Sequence, residues 1–205
     1  MKDTFFIQFY KSFVGNRRID RLSKIISHSL PDDVKNLLDL GAGTGQIAFN
    51  ILKKKPNLKV LGVDTLIRSD TFISIKPYDG KKLPFKDNKF YCVMTIDVLH
   101  HTDNPIEVLK EMKRASNKYI LIKDHIANST FDRFVLKVMD YIGNRLYGVV
   151  LPYNYLSNDL WLNAFKQTNL EIVKEVKQFN LYPWPFDLIF GRKLHCLYLL
   201  KKKKL

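Results

Sequence analysis

Gly41, Gly43 and Gly45 stand at alternate positions in the run Leu37-Leu38-Asp39-Leu40-Gly41-Ala42-Gly43-Thr44-Gly45-Gln46. Glycines this close together serve a chain that turns sharply or lets its backbone approach a ligand. Two further acids, Asp64 and Asp79, follow short apolar runs, and a third, Asp97, opens the string Asp97-Val98-Leu99-His100-His101. His125 ends another apolar run. Carboxylates accept hydrogen bonds from sugar hydroxyls or amino groups, and imidazoles exchange protons near neutrality. These residue types suit the binding of a nucleoside and the removal of a proton from a second molecule.

The elements that must carry them are legible. Leu37 to Leu40 reads as a buried strand, and Ile47, Ala48, Ile51 and Leu52 form one apolar helical face. A strand, a glycine turn and a helix N-terminus together make a nucleotide-type site. The spacing is not that of a dinucleotide binder, since the third glycine comes one residue early and Gln46 stands where a late glycine would be. Leu58 to Asp64 reads as a second strand, whose terminal acid lies about twenty residues past the turn, where ribose hydroxyls are bound. Thr71 to Ile75, Phe90 to Ile96 and Tyr119 to His125 read as the third, fourth and fifth strands. Leu170 to Val176 and Leu194 to Leu200 read as the last two, antiparallel to each other. Asn104-Pro105-Ile106-Glu107 opens a helix, with Asn104 as cap and Glu107 able to close a capping box. Phe131, Phe134, Val135, Val138, Met139 and Ile142 predict another, and Ser157 caps one bearing Leu160, Trp161, Ala164 and Phe165. At the start, Phe5, Phe6, Phe9, Tyr10 and Phe13 recur at helical intervals, with Gly15-Asn16 as the expected stop. Ile19, Leu22, Ile25 and Ile26 give a second apolar face, ended by Pro31.

The run Leu-Asp-Leu-Gly-Ala-Gly-Thr-Gly closely resembles the first motif of class I S-adenosylmethionine-dependent methyltransferases. The resemblance is strongest to the type 11 group, which includes the ubiquinone and menaquinone C-methyltransferases. It implies an α/β fold: a doubly wound, mainly parallel seven-stranded sheet of the Rossmann-like class I kind, in one domain over 1–205. It also implies N-terminal lid helices over 1–31 and a substrate-covering insertion over 125–156 after the fifth strand. The cofactor would be S-adenosylmethionine and the product S-adenosylhomocysteine. On this resemblance the cofactor residues are Asp39, Gly41, Ala42, Gly43, Thr44, Gly45, Asp64, Thr65, Asp79, Gly80, Asp97 and Val98. Asp64 would bind the ribose. Tyr78-Asp79-Gly80-Lys81-Lys82-Leu83-Pro84-Phe85 is similar to the family's Asp-Ala-x-x-Leu-Pro-Phe segment, whose acid faces the adenine amino group. Gly80 replaces the usual alanine, and a simple Asp-Gly turn is the other reading. Phe90-Tyr91 departs from the usual Phe-Asp and would lose a polar contact at the strand entrance. Asp97 to His101 would face the methionine half and the transferring methyl.

Methyl transfer from a sulfonium is an in-line displacement in which positioning supplies much of the rate. A base is needed when the acceptor is a hydroxyl, a phenol or an acidic carbon. His100, His101 and His125 are the candidates, His101 first and His125 second, with Tyr153 or Tyr155 to orient the acceptor. Other chemistries lack their motifs. No Asn-Pro-Pro-Tyr type string follows the fourth strand, Cys92 lies too early to be a nucleophile at that edge, and no nucleophile elbow is present. No metal site is expected, because no cluster has metal-ligand spacing along the chain.

The chain has 205 residues, enough for one domain with a full core, and a net charge of +14. Runs such as Lys53 to Lys55 and Lys201 to Lys204 follow a helix and the last strand, so solvated ends account for much of the excess. An anionic membrane surface is a further reading of the charge, and nucleic acid a less favoured one. The aromatics of Tyr182-Pro183-Trp184-Pro185-Phe186 would either touch a membrane interface or close the core. Cys92 and Cys196 read as core thiols of a reducing compartment. No apolar run approaches the ~20 residues that cross a bilayer, and the N-terminus lacks a signal-peptide pattern. The expectation is a cytoplasmic enzyme, or one peripheral at the membrane, acting on a small-molecule or lipid-like acceptor. A non-catalytic cofactor-binding module working through a partner, and an RNA methyltransferase, are the alternatives. The acceptor and the oligomeric state stay open at this stage.

Overall fold

The computed structural model describes residues 15–144, 151–184, 187–191 and 193–203. The expected first helix, Tyr147-Gly148, Pro185-Phe186 and Lys204 lie outside the described residues. The chain runs α1 (Asn16–Ser29), β1 (Asn36–Leu40), α2 (Gln46–Lys54), β2 (Lys59–Asp64), β3 (Ile75–Pro77), β4 (Phe90–Ile96), a 3₁₀ turn (Leu99–His101) and α3 (Pro105–Ala115). It continues with β5 (Ser116–His125), α4 (Thr130–Asn144), α5 (Asn158–Gln167), β6 (Leu170–Val176), α6 (Asp187–Phe190) and β7 (His195–Lys202).

The sheet has seven strands in the order β3-β2-β1-β4-β5-β7-β6. β1 to β5 are parallel, and β7 lies antiparallel between β5 and β6. The order reverses between β1 and β4, which makes the carboxyl ends of these strands a topological switch point. Helices cover both faces, and the period-two alternation of each strand feeds two cores. Leu37, Cys92, Met94, Leu121, Leu197 and Leu199 pack with Leu22 and Ile26 of α1 and Ala48 and Ile51 of α2. Leu38, Val93, Ile120, Ile122, Cys196 and Tyr198 pack with Leu109 and Met112 of α3 and Trp161 and Phe165 of α5. The two cysteines are free, buried and on opposite faces.

Local chemistry sets most boundaries. The Asn104 side chain accepts from the amides of Ile106 and Glu107 at 3.2 and 3.3 Å, with Pro105 in the first turn. Glu107 pairs with Lys110 Nζ at 2.7 Å. Ser157 caps α5 through the Leu160 amide.

Gly15 has right-handed helical dihedrals and leads into α1, and the helix expected to end there lies outside the described residues. Two expectations are corrected. The third strand is not Thr71 to Ile75 but Ile75–Pro77. The apolar Phe72-Ile73 instead lies across the glycine turn, with the Phe72 amide donating to Thr44 O at 2.8 Å and Ile73 packed beside Gly45. Tyr91 loses no polar contact at the strand entrance, since its hydroxyl donates to Asp33 at 2.9 Å and its amide to Asn36 Oδ1.

The described parts of the segment over 125–156 pack at the switch point. The Ala127 amide donates to Leu156 O at 3.0 Å, and the Asn154 amide to His100 O at 3.0 Å. Val135 and Leu136 of α4 form a small third core with Ala127, Tyr155 and Leu194.

Candidate active site

The glycine turn divides its labour. All three glycines have positive φ, +73°, +59° and +74° in chain order. A Cβ on Gly41 would lie 2.4 Å from a Val98 methyl, and one on Gly45 2.4 Å from Ile73 Cγ1. These two glycines therefore permit close packing. A Cβ on Gly43 would meet no atom within 4 Å, so the middle glycine keeps an open face. Asp64 ties this turn to the end of β2. Its Oδ2 accepts from the Gly43 amide at 2.7 Å and its Oδ1 from the Leu66 amide at 2.9 Å. Asp79 does make the Asp-Gly turn: its Oδ1 accepts from the amides of Lys81 and Lys82, and Gly80 has φ +81°. These backbone bonds hold the exposed Asp79 carboxyl below its ordinary value. Gly80 faces Thr65, so the loops after β2 and β3 adjoin.

A cavity of about 190 Å³ opens beside the turn, lined by Arg18, Ile19, Asp39, Gly41, Ala42, Thr44, Gln46, Ile47 and Ile96. A shallower one of about 340 Å³ lies between Thr44 and the loop over 66–70. The two meet at Thr44. Burial, and then the nearby Asp64 charge, push the Asp39 carboxyl up to about 7.

Beyond β4 and β5 stands a dense buried polar cluster. Asp97, at φ +54°, receives both Lys123 Nζ and the Arg18 guanidinium, with His125 Nε2 3.6 Å away. Burial would raise this carboxyl, but the two cations outweigh it and hold it well below the ordinary range. Burial lowers Lys123, and its Nζ also reaches His195 Nδ1 at 3.3 Å. Asp124 is fully enclosed and accepts from the Leu99 and His125 amides and from His100 Nδ1 at 2.5 Å. His100 Nε2 is ion-paired with Asp140 Oδ2 at 3.2 Å. Tyr155 donates its hydroxyl to Asp140. Burial works against the His100 imidazolium, but Asp124 and Asp140 overcome it and raise its pKa to about 10. His101 and His125 are both pushed down to about 4, by burial first, then by the His100 charge at His101 and the Lys123 charge at His125.

The fold thus places Asp39, Gly41, Ala42 and Thr44 on one cavity; Gly43 and Gly45 lie in the same turn, Asp64 is hydrogen-bonded to it, Val98 is beside Gly41, and Asp79 and Gly80 lie in the next loop against Thr65. Asp97 turns its carboxylate into the ionic cluster. His101 is half-buried, with an Nδ1 that has no hydrogen-bond partner, whereas His125 is sealed. Arg18, Lys123, Asp124, Asp140 and His195 were not expected at the site. Asp140 carried a signal, an acid four residues after Leu136 on a buried helix face. The charged Lys123-Asp124-His125 ending an apolar strand carried another.

The sheet order, the glycine turn and the acid closing β2 define the doubly wound nucleotide-binding class. Within it, a family model described as a methyltransferase domain matches residues 11–175. The chain belongs to that family and carries a class I S-adenosylmethionine-dependent methyltransferase domain. It is 23% identical over 181 residues to the ubiquinone/menaquinone biosynthesis C-methyltransferase UbiE of Cupriavidus taiwanensis, covering 77% of this chain and 74% of that protein. It is 32% identical over 95 residues to a tRNA U34 carboxymethyltransferase of Nautilia profundicola, covering 40% of this chain. The matched part is 31% of that relative's length. A chain from the complex between the Haloferax volcanii Trm112 methyltransferase activator and a methyltransferase superposes with a TM-score of 0.66 at 13% identity, covering 100% of both chains. The open face over Gly43 and the adjoining cavities fit the cofactor of this class, S-adenosylmethionine. Among the described residues, no helix is long and apolar enough to cross a membrane.

Proposed function

We propose that this chain transfers a methyl group to a small or lipid-like acceptor that gives up a proton as it reacts. The buried imidazole–carboxylate cluster at the carboxyl ends of β4 and β5 carries this reading. Simple positioning of a neutral nucleophile needs no such cluster.

When bound, S-adenosylmethionine supplies a methyl group on a sulfonium that leaves as a neutral thioether. Ala42, Gly43 and Thr44 would hold it along the turn, Asp64 at the ribose, Asp79 at the adenine and Asp39 near the amino acid end. His101 takes the acceptor's proton. It is neutral at physiological pH, and its buried Nδ1 has no hydrogen-bond partner. The imidazole of His125 is enclosed between Leu194 O and Asp97, which favours His101 over it. Tyr153 and Tyr155 orient the acceptor, and the segment over 125–156 excludes water from it.

Calorimetric titration tests the cofactor half of the reading. S-adenosylmethionine and S-adenosylhomocysteine should bind and NADH should not, and Asp64→Ala should weaken both at least tenfold. An acceptor screen then reads release of the demethylated product. His101→Gln should lower turnover by ~10²–10⁴-fold with cofactor affinity unchanged. Folded protein that binds no cofactor overturns the enzyme reading in favour of a module that acts through a partner.

The net charge of +14 and the tRNA-modifying relative support a second reading, an RNA acceptor. Phosphate contacts make affinity fall steeply with salt. RNA binding that is flat in salt removes that reading.

A further inference from the structure

We propose that His100, His125 and Asp140 form a binding site for a divalent first-row transition-metal ion. The fold brings one donor atom from each to within 4.8 Å of the others, and all three residues are buried. They belong to three separate elements: the 3₁₀ turn, β5 and α4.

The geometry at His100 is the second, independent observation. Its Nδ1 is fixed by Asp124 at 2.5 Å, which leaves Nε2 to face Asp140 Oδ2 at 3.2 Å. Those two atoms are ion-paired when His100 carries a proton, and a metal ion would replace that proton between them. Two ligands about 2.0–2.2 Å from one tetrahedral zinc ion lie about 3.3–3.6 Å apart, so the pair at 3.2 Å is near the separation of neighbours on a metal.

Each proposed ligand has its own outer support. Asp124 holds His100, the Leu194 carbonyl lies 3.4 Å from His125 Nδ1, and the Tyr155 hydroxyl holds Asp140. Metal-binding imidazoles are commonly oriented in this way, by a carboxylate or carbonyl on the far nitrogen. Two imidazoles and one carboxylate suit zinc, iron(II), cobalt(II) or nickel(II) better than magnesium or calcium. A metal ion would take the place of the proton on His100 Nε2, and Asp97, Asp124 and Asp140 then face it together with Lys123 and Arg18. Three protein ligands leave a position for an oxygen, where an acceptor hydroxyl would be polarised.

Metal uptake is measured without cofactor or acceptor, so it succeeds or fails apart from the methyl-transfer reading. The full chain, without a histidine tag, is stripped with chelator and titrated with Co²⁺ and then Zn²⁺. One Co²⁺ per chain should bind with the visible spectrum of a four- or five-coordinate ion and be displaced by Zn²⁺. His100→Gln and Asp140→Asn should abolish that spectrum, and Asp124→Asn should weaken binding roughly 10–100-fold. His28→Gln, on the surface, should change nothing. Should the variants unfold, nitrogen NMR of the wild type decides, since Zn²⁺ must shift ring nitrogens of His100 and His125. Folded wild type that takes up no stoichiometric metal overturns the site. So does binding that persists in both ligand variants, or Zn²⁺ that perturbs only other histidines; the cluster then holds a proton on His100 instead.

Discussion

Asp39 shows how one buried acid couples the turn to pH. Its carboxyl is 3% exposed and titrates near 7 in the folded chain, against about 4 for an exposed carboxylate. The raised value means that the native state holds a proton that the unfolded state has released. Stability should therefore be full below about pH 4, fall as pH rises towards 7, and level off above it. The span is on the order of 4 kcal/mol for a shift of this size. Asp39→Asn should flatten that slope, which denaturant unfolding at a series of pH values would measure. A ligand bringing an ammonium group to this cavity favours the carboxylate. Binding of S-adenosylmethionine at pH 7 should then release part of a proton, seen as a buffer-dependent calorimetric enthalpy, and Asp39→Asn should abolish the dependence.

At the scale of elements, the three glycines separate packing from binding. Gly41→Ala and Gly45→Ala force a Cβ into Val98 and Ile73 at a positive φ. Each should lower stability by ~2–4 kcal/mol in chemical denaturation. Gly43→Ala meets only the dihedral penalty of about 1–2 kcal/mol, because no atom crowds it. It should stay folded and lose cofactor affinity at least tenfold; equal destabilisation by all three variants would contradict this division. Two side chains of α3 hold the loop from β3 to β4, and Glu111 accepts from the Leu83 amide at 2.7 Å. Arg114 donates to Leu83 O and Phe85 O and pairs with Asp87 and Glu111. Arg114→Ala should cost about 1–3 kcal/mol of stability, since it strips partners from two carbonyls at the strand entrance. Apolar runs mark both β1 and β2, whereas the run Thr71 to Ile75 begins four residues before β3. An edge strand has one neighbour, so its pairing depends on what else the run can cover. Here Phe72 and Ile73 cover the glycine turn.

For the molecule as a whole, charge and site give different signatures of the acceptor. With 34 Lys and Arg against 20 Asp and Glu, the chain has the excess that a polyanion would engage. The cluster behind β4 and β5 is enclosed and carries its own acids. Turnover on a small acceptor should therefore vary little between 50 and 300 mM salt, about the range over which phosphate contacts lose several decades of affinity. Activity that collapses over that range would move the RNA reading ahead.

The amino-acid sequence by itself determined the fold class, the glycine turn, the acid at the end of β2, the helix caps and the apolar faces of most helices and strands. Each of these is written in residues close together in the chain, through period-two or helical spacing and the special dihedrals of glycine. The tertiary structure alone decided which histidine does what. His100 and His101 are adjacent in sequence, yet the 3₁₀ turn aims one into Asp124 and Asp140 and leaves the other half-buried, with its Nδ1 unbonded. It also decided that Arg18, Asp97 and Lys123 share one cluster, and that His100, His125 and Asp140 converge. Residues that far apart in sequence meet only because the switch point gathers the ends of β4 and β5 under α1 and α4. No local pattern encodes that meeting.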